Sequence, residues 1–135
     1  MKTALNQSRF LKLIALSAMS TLLLVGCKPD VDLGSVTGKI TLDGQPLQNA
    51  FVQFVPVKGG RAAVALTDAN GEFVMQYSGS QAGTLVGQAK VEITTVTADS
   101  EGAREKVPKR YNTASELIVD VEPKANRFEW DLQSK

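Results

Sequence analysis

Few residues in this 135-residue chain could do chemistry, and its single cysteine is the first of them. Cys27 ends the apolar stretch "LLLVGC" and is followed by Lys28, Pro29 and Asp30. A lone thiol cannot close an intramolecular disulfide. The charged, proline-containing residues after Cys27 are typical of a tether rather than of a packed core.

Paired carboxylates are the second candidate for chemistry. Asp68 and Glu72 lie in "TDANGEF", where Asp, Asn and Gly are the residues that a tight reversal needs. The spacing Asp68-x-Asn70-x-Glu72 also resembles part of a calcium loop, but it lacks the further ligands and the distant Glu of the 12-residue loop. We therefore predict a turn motif at Asp68, Asn70 and Gly71, and no metal site.

Histidine is absent, which excludes Ser-His and Cys-His catalysis and imidazole-bound zinc. No glycine-rich phosphate loop of P-loop spacing occurs. Glu101 and Glu105 lie in a polar stretch typical of solvated loop charge. Phe128 and Trp130 could stack on a sugar. They are two residues apart and so lie on the same face of one strand, which favours packing in the core. We expect no catalytic residue, no cofactor and no enzymatic activity, with catalysis by carboxylates alone as the open alternative.

Residues 1–26 have the composition of a secretory signal peptide. Lys2, Arg9 and Lys12 precede the apolar run "LIALSAMSTLLLV", and no acid accompanies them. The run is shorter than the roughly 20 residues of a membrane-spanning helix. Removing these residues leaves 12 Lys and Arg against 14 Asp and Glu. This near balance gives no electrostatic reason to expect a nucleic-acid partner.

Leu24-Val25-Gly26-Cys27 resembles the lipobox of bacterial lipoproteins. The resemblance implies diacylglycerol on the Cys27 thiol, cleavage before Cys27, and acylation of the new amino group. One acyl chain binds a membrane marginally, whereas two or three hold firmly. Lys28 after the cysteine resembles an outer-membrane signal in a Gram-negative envelope. The predicted organisation is a signal peptide at 1–26, a lipidated N-terminus and tether at 27–33, and one domain at 34–135.

The domain shows the alternation of short strands, with apolar residues at every second position and turn signals every 8 to 12 residues. About seven such strands favour an all-β fold, a β-sandwich. "EFVMQY" reads as one strand, and "PKAN" at 123–126 as a hairpin between the last two strands.

Four segments resemble carboxypeptidase regulatory-like domains. They are Val36–Ile40, Asp43–Leu47, Asn49–Val52 and Thr67–Phe73. The resemblance implies a transthyretin-like (prealbumin-like) sandwich. The chain departs from that pattern at Ala82–Leu85, where the usual tyrosine is missing, and in its long charged loop. The combination with a lipobox looks like a group of small envelope lipoproteins, which brings no established activity with it.

Residues 97–115 form a long polar loop, which we expect to be mobile and to touch a partner. Val107, Pro108 and Tyr111 could dock on the sandwich, leaving Lys106, Lys109 and Arg110 as a basic patch. The predicted contact residues are Lys106, Lys109, Arg110 and Tyr111. Two functions stay open. One is a membrane-anchored module of the cell envelope that contacts protein or glycan, and the other is an accessory domain for folding or membrane retention of a secreted enzyme or transporter.

Overall fold

The computed structural model describes residues 31–135. The predicted signal peptide, the lipobox-like residues Leu24–Gly26 and the predicted lipidation site Cys27 lie outside the described residues. Eleven strands follow one another in the described part of the chain: β1 (Leu33–Leu42), β2 (Gln45–Pro46), β3 (Phe51–Pro56), β4 (Ala63–Leu66), β5 (Glu72–Val74), β6 (Gln76–Ser78), β7 (Gln81–Ala82), β8 (Thr84–Leu85), β9 (Gly87–Thr94), β10 (Ile118–Val121) and β11 (Ala125–Leu132).

The first sheet is built around β1. On one side β1 pairs in parallel with β11, from Ser35 opposite Ala125 to Leu42 opposite Leu132. On the other side β2, β5 and β8 pair with it antiparallel. The β1–β2 hairpin turns at Asp43 and Gly44, which both have positive φ, as a two-residue hairpin turn requires.

The second sheet has six strands in the order β10-β9-β3-β4-β6-β7, all antiparallel. Its long central strands are β3 and β9, which pair from Phe51 opposite Thr94 to Pro56 opposite Ala89. A one-turn 3-10 helix at Lys109–Tyr111 interrupts the loop between β9 and β10. None of the described residues belongs to a helix with the length and hydropathy of a membrane span.

The two sheets enclose one apolar core, and the predicted β-sandwich is confirmed. Alternate residues of β1, β3 and β9 point inward and are almost fully buried, namely Val36, Ile40, Val52, Phe54, Val91 and Ile93. Phe54 contacts the rings of Phe128 and Trp130, whose centroids lie 5.9 and 6.3 Å away. Trp130 also stacks on Phe73 at 6.2 Å. Phe128 and Trp130 therefore pack against the core, as predicted from their position on the same face of one strand.

The stretch "EFVMQY" is two strands instead of the single predicted strand. β5 pairs with β1 in the first sheet, and β6 pairs with β4 in the second. The chain changes sheet at Met75, whose N–H donates to the carbonyl of Val36 at 2.9 Å. The carbonyl of Met75 accepts from Gly83 N at 2.7 Å. The alternation continues through Met75 because its buried side chain faces the core that both sheets share.

The segment at 123–126 is not a hairpin, and this prediction was wrong. β10 pairs with β9 in the second sheet, whereas β11 pairs with β1 in the first, so the segment crosses between sheets. Asn126 fastens this crossing, because its Nδ2 donates to the carbonyls of Ser35, Glu122 and Lys124 at 2.8 to 3.1 Å. Alternation in two consecutive strands shows that each has a buried face, but it does not say that they pair with each other.

Candidate binding groove

A groove of about 600 Å³ lies on the outer face of the six-stranded sheet. Its floor is formed by β3 and β9, and its wall by the 97–115 loop. The residues that line it are Phe51, Gln53, Glu92, Thr94, Val96, Ala103, Glu105, Lys109, Asn112 and Thr113. We call this feature the outer groove.

Strand geometry explains which side chains form the floor. Val52 and Phe54 of β3 point into the core, so Phe51 and Gln53 point outward. Antiparallel pairing places Phe51 opposite Thr94, and Gln53 opposite Glu92. Directly opposed side chains on one face lie close enough to act together. The floor therefore combines one aromatic ring with three polar side chains.

Glu105 fastens the wall of the groove to the end of β9. Its carboxylate accepts from Thr95 N at 2.9 Å, from Thr95 Oγ1 at 2.7 Å and from Val107 N at 2.9 Å, and the hydroxyl of Thr94 donates to it as well. Partial burial raises the pKa of Glu105, but these hydrogen bonds outweigh that effect and lower the pKa to about 2. A carboxylate with this many donors is a structural anion and a poor general base.

The other carboxylate of the groove is also engaged. Glu92 Oε1 lies 2.6 Å from the ammonium of Lys90, which projects from the same face of β9. Lys109, on the 3-10 helix, is exposed and forms no ion pair among residues 31–135. It is therefore a cation at the groove wall that is available to a ligand.

The four predicted contact residues have different surroundings. Lys109 lines the outer groove, and Lys106, three residues earlier, is exposed. Arg110 is turned toward the C-terminus, where its guanidinium donates to the carbonyls of Gln133 and Lys135. The same guanidinium lies 4.8 Å from the centre of the Tyr111 ring. The basic patch thus divides into two exposed lysines and an arginine with intramolecular partners.

Tyr111 and Val107 hold the second half of the loop. Val107 is 2 % exposed, and Tyr111 is half-buried against the core. The Tyr111 hydroxyl accepts from Gln133 N at 3.4 Å. Arg110 and then this backbone hydrogen bond lower the pKa of Tyr111 below its ordinary value. Mobility of the loop remains a prediction. Because these contacts hold its second half, we now expect mobility only in residues 97–104.

The residues of the predicted turn motif adopt a tight reversal. Asp68 Oδ1 accepts from Asn70 N at 2.8 Å and from Glu72 N at 2.9 Å, and Gly71 has a φ of +74°. One carboxylate oxygen is therefore occupied by two backbone donors. Within residues 31–135, no three His, Cys, Asp or Glu side chains come together in a way that could hold a metal ion.

Sequence reasoning identified Lys109 but did not identify the floor of the groove. The signal was present, because alternation alone assigns Glu92 and Thr94 to the outer face of β9. Pairing of β9 with β3 was the missing information. The groove combines a cation and several hydrogen-bonding groups with one aromatic ring. No protein-family model matches this chain, and no curated protein matches it.

Proposed function

We propose that the protein is a lipid-anchored β-sandwich of the bacterial cell envelope that binds another envelope protein through the face carrying the outer groove. The observation that carries the anchor is the order of signals in the sequence. A basic start, an apolar run and Leu24-Val25-Gly26 precede Cys27, and the first strand begins only six residues later, at Leu33. A leader followed so closely by a folded domain is what an N-terminal lipid anchor needs.

A binding role without catalysis is supported by the state of the groove carboxylates. Glu92 is paired with Lys90, and Glu105 accepts at least four hydrogen bonds. Neither carboxylate is placed to remove a proton from a substrate. The groove also contains no histidine, cysteine or serine that could act as base or nucleophile.

A protein partner is favoured over a glycan by the apolar residues next to the groove. Phe51 pairs with Leu66 of β4 on the same outer face, and Leu66 is 59 % exposed. Phe128 and Trp130, the candidate sugar platform, pack against the core instead. An exposed leucine beside a partly buried aromatic ring is typical of a protein contact.

The resemblance to carboxypeptidase regulatory-like domains is part of the same proposal. An all-β sandwich of about one hundred residues agrees with what the resemblance implies about fold. It assigns no reaction, because one fold hosts many functions.

Labelling with palmitate tests the anchor. We expect the native protein to incorporate palmitate, to partition into detergent, and to begin at Cys27 by mass spectrometry. A Cys27→Ser variant should lose the label and the processing. Continued labelling of that variant, or its retention on the membrane after cleavage, would refute lipidation at Cys27.

Affinity capture from the native envelope tests the binding face. We expect Leu66→Ser to reduce capture of the co-purifying protein. Val74→Ser is the matched control, because Val74 is 52 % exposed on a strand of the other sheet. Equal capture by both variants would argue against the proposed face, and loss of binding after glycosidase treatment would indicate a glycan instead.

A further inference from the structure

The end of the sandwich where β1 begins has a distinct surface. Leu33 pairs with Leu85, and the side chain of Leu85 lies against Gly60, where an added Cβ would be 2.7 Å from its Cδ1. Val57 N donates to the carbonyl of Gln88, near the start of β9. The loop at 57–61 therefore lies at the same end as Leu33. We call this the β1-start end.

The groove lies at the opposite end. β3 runs from Phe51 at the groove to Pro56 next to the 57–61 loop, so about 20 Å of extended chain separates Phe51 from Val57. Leu42 ends β1, and after the β1–β2 hairpin the chain enters β3 at Phe51, where Thr94 is the opposite residue. Thr94 and the Glu105 that bonds to it belong to the outer groove. The groove and the 57–61 loop are thus at opposite ends of the sheet.

The chemistry of the 57–61 loop suits a membrane surface. Val57 is 55 % exposed, and its neighbours Lys58 and Arg61 are exposed as well. Neither base forms an ion pair among residues 31–135. Gly59 N donates to the carbonyl of Pro56 at 3.1 Å, so Val57 and Lys58 are the two central residues of this turn and lie at its tip. An apolar side chain flanked by bases matches the boundary between acyl chains and anionic headgroups.

Chain length brings this loop to the membrane. Five residues separate Cys27 from Leu33, and a fully extended chain covers at most about 20 Å over that distance. We infer that, in the lipid-anchored protein, the 57–61 loop rests on a bilayer containing anionic lipid, with Val57 at the headgroup level and the outer groove turned away from the membrane. This inference rests on the proposed lipidation of Cys27.

Depth-dependent quenching tests the inference on the full lipidated protein in vesicles. With Cys27 occupied by lipid, Val57→Cys supplies the only free thiol for a fluorophore. Leu66→Cys is the matched control, because Leu66 is equally exposed but lies opposite Phe51 at the groove end. In vesicles of phosphatidylethanolamine and phosphatidylglycerol, a nitroxide on the lipid headgroup should quench the label at 57 several-fold more than the label at 66.

Flotation separates failure of the inference from failure of the anchor. Protein that floats with the vesicles while both labels are quenched equally would overturn the orientation alone. Protein that does not float would overturn the anchor and, with it, the orientation.

A charge variant tests the role of the two bases. With Lys58 and Arg61 present, the label at 57 should be quenched more in vesicles with phosphatidylglycerol than in vesicles of phosphatidylcholine. Lys58→Ser with Arg61→Ser, made in the Val57→Cys protein, should remove this difference. Flotation should persist, because the lipid supplies it. An unchanged difference would show that the bases do not contact anionic headgroups.

Discussion

Gly71→Ala is the most informative single change in the domain. Gly71 is buried, its φ is +74°, and an added Cβ would lie 2.2 Å from the carbonyl oxygen of Ile40. The left-handed conformation costs an alanine about 1–2 kcal/mol. The oxygen cannot move aside cheaply, because it accepts from Leu47 N at 3.0 Å, while Ile40 pairs with Trp130 of β11 on its other side.

The steric conflict adds to that cost. The turn must move away from β1, which weakens the 2.8 Å hydrogen bond from Ile40 N to the carbonyl of Gly71. Such a bond contributes about 1 kcal/mol net. We therefore expect Gly71→Ala to lower the free energy of unfolding by roughly 3 kcal/mol. For a domain of this size that lowers Tm by more than about 10 °C.

Gly44→Ala is the control for the backbone cost. Gly44 has nearly the same φ, +78°, but no atom lies within 4 Å of its added Cβ. We expect this variant to lose only about 1–2 kcal/mol. Urea unfolding of both variants measures the difference. Equal destabilisation would refute the reasoning, because it would show that contact with Ile40 contributes nothing.

Three further predictions concern the core, the loop anchor and the loop itself. Thr67→Val leaves a buried N–H and a buried carbonyl unpaired, so it should cost about 2–4 kcal/mol in urea unfolding; Thr84→Val should be near neutral, because the Thr84 hydroxyl has no partner among the described residues. The low pKa of Glu105 stabilises the fold above about pH 4.5, and this contribution disappears as pH falls toward 2. Because the side chain is partly exposed, we expect this contribution to the free energy of unfolding to be about 1–2 kcal/mol after screening. Glu105→Gln should therefore lose less stability than the unchanged protein as pH falls from about 4.5 to 2. Equal loss of stability in both proteins would contradict this. Limited trypsin digestion should cut after Arg104 before it cuts at Lys39, Lys90 or Arg127 in the strands, and earlier cleavage at any of these three would disprove it.

Sequence alone predicted the faces of the strands but not their partners. Val36 and Ile40 are fully buried, as the alternation of apolar residues predicts, because burial of one strand face imposes a period of two. Pairing depends on contacts between distant parts of the chain, which alternation does not encode. This is why alternation predicts a hairpin at 123–126 that does not form, and why it does not predict the change of sheet at Met75.

The site was harder to predict for a related reason. The stretch "SEGAREK" predicts a solvated charge at Glu105, because nothing in it shows that the donors to Glu105 come from Thr94 and Thr95 at the end of β9. Arg110 was grouped with the lysines by charge, although its partners are the carbonyls at the C-terminus. Composition identified the loop, and only the three-dimensional arrangement distinguishes its structural residues from its exposed ones.

The parallel pairing of β1 with β11 affects how neighbouring molecules can meet. Within residues 31–135, β11 has β1 as its only neighbour, so its other edge presents free backbone groups along eight residues. Exposed edges of this length invite pairing with a second copy. In antiparallel pairing of two β11 edges, the β1 strands would point in opposite directions. If Cys27 is lipidated as proposed, molecules on one bilayer share one orientation, so attachment to the membrane would disfavour this antiparallel pairing of β11 edges.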